Sequence, residues 1–188
     1  MAHVKLNPTL EAIQGKVGDL IFKRYEGEEI VSRMPDRTGI VPTPNQIAQM
    51  DKFRLAALYG KSVMADPVSR AIYEDAAHRK GVPVFAVTVG DFLNAPAVDE
   101  INLAAYAGKI GDKITIRASD DVEVSGVSVT IREQGGAVIE EGAAVLTAGM
   151  GTWAYTATTA LAQGQAVVIE VNATDRPGHI GTKSENRN

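Results

Sequence analysis

The sequence predicts an α+β chain in which an N-terminal β-hairpin and a small three-helix segment precede a seven-stranded β-sandwich. Three observations predict it. A glycine-punctuated apolar stretch precedes Pro35, helix-start signals recur between Thr43 and Ala95, and the apolar period switches from 3.6 to 2 beyond Val98. A length of 188 residues suits two small units, expected as a hairpin-and-helix domain over 1–97 and a sandwich domain over 98–188. Units of that size lie near the lower limit for burying a sufficient core, so the two halves are expected to pack on each other.

The hairpin is read from Gly15-Lys-Val-Gly-Asp-Leu-Ile-Phe-Lys-Arg-Tyr25 and Ile30-Val-Ser-Arg-Met34, with Gly27 in the turn between them. Two strands alone are marginal in water. The hairpin is therefore expected to add to the sandwich, pack on the helices or pair with another subunit.

Chemistry marks the helix starts. Thr43-Pro-Asn-Gln46 places a hydroxyl at the cap, proline at the first helical position and glutamine three residues after the cap. Asp66-Pro67 repeats the signal, Gly81 ends the second helix, and Pro83 and Pro96 bracket the third. The expected core stripes are Met50, Phe53, Ala57 and Met64; then Val68, Ile72 and Ala76; then Val82, Phe85, Val89 and Phe92.

Strands are expected at Ile101 to Leu103, Lys113 to Arg117, Val127 to Ile131, Ala137 to Ile139, Thr152 to Thr156, Ala166 to Val171 and His179 to Lys183. Between them lie turn signals at Asp120-Asp121, Gln134-Gly-Gly136, Gly149-Met-Gly151, Gln163-Gly164 and Arg176-Pro-Gly178. That spacing suits an Ig-like sandwich. Trp153 and Tyr155 sit two apart, so they share one strand face and are expected in the core.

Composition narrows the function. The chain is 45% hydrophobic and 22% charged, with no apolar run long enough to span a bilayer. Its opening residues have no apolar run of the Sec signal type. Zero cysteines exclude disulfides and thiol chemistry. Residues 1–97 hold 12 Lys+Arg against 11 Asp+Glu, a net +1; residues 98–188 hold 7 against 12, a net −5. An acidic sandwich is a poor match for phosphate backbones, and neither nucleic acid nor membrane insertion is expected.

The run Gly151-Thr-Trp-Ala-Tyr-Thr-Ala-Thr158, then Leu161-Ala-Gln-Gly164, then Ala173-Thr-Asp-Arg-Pro-Gly178 resembles bacterial Ig-like repeats. Such modules, found in surface adhesins and phage structural proteins, carry a G-x-W strand, an L-x-x-G turn and an A-x-D-x-x-G-N ending. His179 stands where that ending has Asn. The resemblance implies a sandwich and an extracellular or particle-associated setting, the chain being otherwise cytoplasmic, and it specifies no ligand. The N-terminal pattern Gly15-Lys-Val-Gly18, Gly27, Arg33, Pro35, Pro42-Thr43, Gln46 and Phe53 is similar to uncharacterised bacterial proteins and implies no activity.

Little in the sequence assembles chemistry. His3, His78 and His179 fall in three separate contexts, and Glu74 with His78 at i and i+4 lacks a third ligand. Gly15-Lys-Val-Gly18 leads into a strand and is read as a turn, as is the similar Gly108-Lys-Ile-Gly-Asp112. Asp120-Asp121 and Glu140-Glu141 lack a flanking apolar pocket that would divide acid from base roles. No enzyme is expected, and no cofactor apart from weakly held Ca²⁺. In an Ig-like topology Asp120, Asp121 and Asp175 meet at one end of the sandwich, where they are candidate calcium ligands.

Two functions follow. The first is a structural subunit that assembles with copies of itself, as a surface filament, layer or virion component, or with another surface or virion protein. Leu20, Phe22, Tyr25, Ile30 and Val31 would form the contact. The alternative is a monomeric recognition module that binds a glycan or protein through the loop end of the sandwich. The Asp120 to Gly126, Gly149 to Gly151 and Arg176 to Gly178 loops hold no aromatic side chain, which favours assembly.

Overall fold

The computed structural model describes residues 2–3 (backbone only), 14–25, 28–36, 38–39, 41–147 and 151–187. Among the described residues are three α-helices and three four-stranded sheets. The chain forms two compact units, Met1–Pro44 and Asn45–Asn188.

The first unit is one antiparallel sheet. Its strands β1 (Ala2–His3), β2 (Gly15–Val17), β3 (Leu20–Tyr25) and β4 (Glu28–Arg33) lie in the order β1-β4-β3-β2. Gly18 at φ 57° and Asp19 turn β2 into β3, with Val17 opposite Leu20. The expected hairpin is β3–β4; Gly27, expected in its turn, lies outside the described residues. The hairpin is not left bare, because β2 and β1 extend it on both sides within its own unit.

The second unit contains α1 (Pro44–Ala65), α2 (Pro67–Lys80) and α3 (Val84–Leu93). Asp66 caps α2 by accepting the Ser69 amide at 2.9 Å, and Gly81 ends it in the left-handed region at φ 66°. The stripes differ from expectation. Ala76 and Val89 are buried as expected, but Met50, Phe53, Val68, Val82 and Phe85 are exposed, and Ala56, Gly60, Val63, Tyr73 and Val87 are buried in their place. Small residues displace large ones because α1 and α3 approach closely: a Cβ on Gly60 would lie 2.7 Å from Thr88 Oγ1 and 2.8 Å from the Phe85 ring.

The sandwich follows. One sheet orders β5 (Ala97–Asn102), β6 (Lys113–Ser119), β10 (Thr152–Thr156) and β9 (Val145–Leu146); the other orders β12 (Ile180–Arg187), β11 (Val167–Asp175), β7 (Val124–Glu133) and β8 (Val138–Ala143). All seven expected strands are present. The eighth, β9, is two residues long and gave no periodic signal. Of the expected turn at Gly149 to Gly151, only Gly151 lies among the described residues, at φ 67°. Both sheets contribute to one core that holds Ile114, Ile116, Trp153, Val129, Ile131, Val167, Ile169 and Val171. Trp153 and Tyr155 are buried as expected, and Gly142 makes room for the Tyr155 ring.

The division expected at 97/98 falls inside the second unit. The reason is visible at the α3–β5 junction, where side chains of α2 and α3 hold the sandwich loops.

Candidate functional site

The register of the first sheet divides the five expected contact residues between two faces. Leu20 and Phe22 pair with Arg33 and Val31, whereas Ile30 and Tyr25 pair with Lys23 and Glu28. Alternation therefore puts Leu20, Phe22 and Val31 on one face with Val17, and Tyr25 and Ile30 on the other with Ile21. They do not form one patch. Val17 and Tyr25 are the most open, at 66% and 62%, while Ile30 is buried. β2 covers only Leu20 to Phe22 of β3, and β1 covers only Ile30 and Val31 of β4, so both outer edges keep unpaired backbone among the described residues.

The second candidate lies where the helices meet the sandwich. Tyr59 and Tyr73 hydroxyls are 2.7 Å apart, and Tyr73 donates to Oδ2 of Asp91 at 2.5 Å. Asp91 and Tyr73 are fully buried. Burial, opposed by the Tyr73 hydrogen bond and reinforced by the charge of Asp120, a carboxyl–carboxyl hydrogen bond with it and the charge of Asp175, pushes the Asp91 carboxyl up to about 7. Burial also raises Tyr73, helped by its hydrogen bonds to Asp91 and Tyr59. The Oδ1 atoms of Asp91 and Asp120 are both buried without another partner.

The three expected calcium ligands are spent otherwise. Asp120 Oδ2 accepts the amides of Val122 and Glu123, each at 3.2 Å. Asp121 is bonded to Asn94 Nδ2 at 2.6 Å and Lys80 Nζ at 2.9 Å, which together hold its carboxyl below the usual range. Asp175 accepts the Gly178 and His179 amides at 2.7 and 2.6 Å and lies 3.0 Å from His179 Nδ1. Among the described residues no group of three or more His, Cys, Asp or Glu is placed to hold a metal ion. Turn amides engage Asp120 Oδ2 and Asp175, and Asn94 and Lys80 engage Asp121, while Asp120 Oδ1 has no further hydrogen-bond partner among the described residues.

Sequence reading missed Asp91, although a signal was present. It is the lone carboxylate on α3, on the same stripe as Val84, Val87 and Thr88. Glu140 was also missed as a buried group. It accepts Thr159 N at 2.6 Å, Thr158 N at 3.1 Å and Thr158 Oγ1 at 3.2 Å. Burial, with the Glu140 hydrogen bond next, pushes the neighbouring Tyr155 up to about 12.

No protein-family model and no curated protein matches this chain. Two solved structures are similar to part of it. CopC from Methylosinus trichosporium OB3b is 20% identical, with 48% of this chain aligned to 89% of that one and a TM-score of 0.36. A tetra-tandem repeat in the extending region of a large adhesion protein is 21% identical, with a TM-score of 0.33. That match covers 49% of this chain and only 22% of the adhesion-protein chain. No helix among the described residues is long and apolar enough to cross a membrane.

Proposed function

We propose that this chain is a non-enzymatic structural subunit that assembles with copies of itself through sheet edges. One observation carries the reading: the helices occupy the loop end of the sandwich. Phe92 packs edge-on against His179, with ring centroids 5.2 Å apart, and Lys80 and Asn94 hold Asp121. A recognition module would need that end free.

The unoccupied sides are strand edges. β8 and β9 border their sheets and expose Val138, Val145 and Leu146 at 50%, 70% and 56%. The first sheet adds its two incompletely covered edges. The order β5-β6-β10-β9 against β12-β11-β7-β8 supports placing the sandwich with Ig-like modules, whose sheets run A-B-E-D and G-F-C. An extracellular or particle-associated setting goes with this reading.

Light scattering on the full-length chain at micromolar concentration tests it, with a Val17→Lys, Leu20→Lys variant alongside. Assembly predicts a mass several times that of one chain, reduced in the variant. A clean monomer for the unaltered chain would remove the reading and turn attention to ligand screening.

A further inference from the structure

Every residue of α1 from Pro44 to Leu55 is exposed, so its first three turns lack the packing that normally stabilises a helix in water. That segment and the next turn display Ile47 at 48%, Met50 at 63%, Leu55 at 50% and Leu58 at 56% exposure. At 100° per residue, Ile47, Asp51, Arg54 and Leu58 form one seam, spaced four, three and four, with Met50 flanking one side and Leu55 the other. The buried face of α1, with Ala56, Gly60 and Val63, lies opposite.

We propose that this seam pairs antiparallel with α1 of a second copy of this chain, a contact that rests on the self-assembling reading and gives it a second surface. The charges select both the partner and the direction. Turning one α1 end for end about a twofold axis between residues 52 and 53 sets Ile47 opposite Leu58 of the other copy and Asp51 opposite its Arg54. Met50 and Leu55 then flank the seam against their own counterparts. In the parallel arrangement Asp51 would face Asp51 and Arg54 would face Arg54, a like-charge layer that opposes pairing. Asp51 and Arg54 already lie 3.2 Å apart within one chain, with side chains 56% and 73% exposed, so both are free to exchange partners across the axis.

The natural absence of cysteine makes the register directly readable. Within one helix, positions 47 and 58 are about 16 Å apart, too far for an internal disulfide. The full-length Ile47→Cys, Leu58→Cys variant, oxidised and run on a non-reducing gel, is expected to give a covalent species of at least twice the chain mass, while either single variant gives none. Adding Arg54→Asp is expected to reduce that species about tenfold, and adding Asp51→Arg as well to restore it. If the unaltered chain assembles by light scattering but the double variant does not cross-link, or a single variant cross-links as readily, the helix pairing is wrong and self-assembly stands. A monomeric unaltered chain overturns both.

Discussion

Tyr73 donates its phenolic proton to Asp91 at 2.5 Å, and neither side chain has exposed surface. A hydroxyl from α2 thereby meets a carboxyl from α3, and that carboxyl also feels Asp120 and Asp175 of the sandwich loops. The buried Asp91 carboxyl thus links three parts of the second unit.

Stability should therefore depend on pH in a defined direction. The folded Asp91 holds its proton to about 7, above the ordinary 3.8. The folded state binds more protons than the unfolded chain between those values, so the contribution is full below the lower one and is lost as pH rises through the upper. The shift corresponds to about 4 kcal/mol as an upper bound. Denaturant titration is expected to show lower stability at pH 8 than at pH 5, with the difference shrinking in Asp91→Asn; equal pH slopes for the two proteins would sink the assignment.

Gly60→Ala should loosen α1 from α3, since its Cβ would meet Thr88 and Phe85 at under 3 Å. A loss of about 1–3 kcal/mol is expected in thermal unfolding. Gly90→Ala, whose Cβ meets nothing within 4 Å, serves as the helical control and should be neutral or slightly stabilising.

Gly181 on β12 is a harsher case. A Cβ there would lie 1.8 Å from the Pro96 carbonyl oxygen, a backbone atom at the entry to β5. Gly181→Ala is expected to cost more than Gly60→Ala and to lower the soluble yield; a melting temperature equal to the parent would contradict this close approach.

Glu140 ties β8 to the segment after β10 through three hydrogen bonds. Glu140→Ala leaves the Thr158 and Thr159 amides without that acceptor and should cost about 1–3 kcal/mol. Hydrogen exchange at those two amides, faster in the variant, is the local check.

Legibility followed the range of the interactions. Helix ends were readable because Asp66, Pro67 and Gly81 act within a few residues of themselves. Strand positions were readable because alternation is local, as in β11, where buried residues alternate from Val167 to Asp175. The buried face of α1 was not readable. Met50 and Phe53 form as good a stripe as Ala56, Gly60 and Val63, and only the close approach of α3 selects the second. The partners of the calcium candidates were hidden for a related reason: Asp121 meets Lys80 and Asn94, 41 and 27 residues away in the chain.

By itself the sequence determined the α+β class, the three helices with both caps of α2, the positions of the longer sandwich strands and the burial of Trp153 and Tyr155, all consequences of backbone preference and apolar period. Only the tertiary structure decided that the hairpin belongs to a four-stranded sheet, that the helices hold the sandwich loops, and that Asp91 accepts from Tyr73 beside the loop carboxylates Asp120 and Asp175. Those features depend on groups distant in sequence meeting where water is excluded, and no local pattern encodes which distant group arrives.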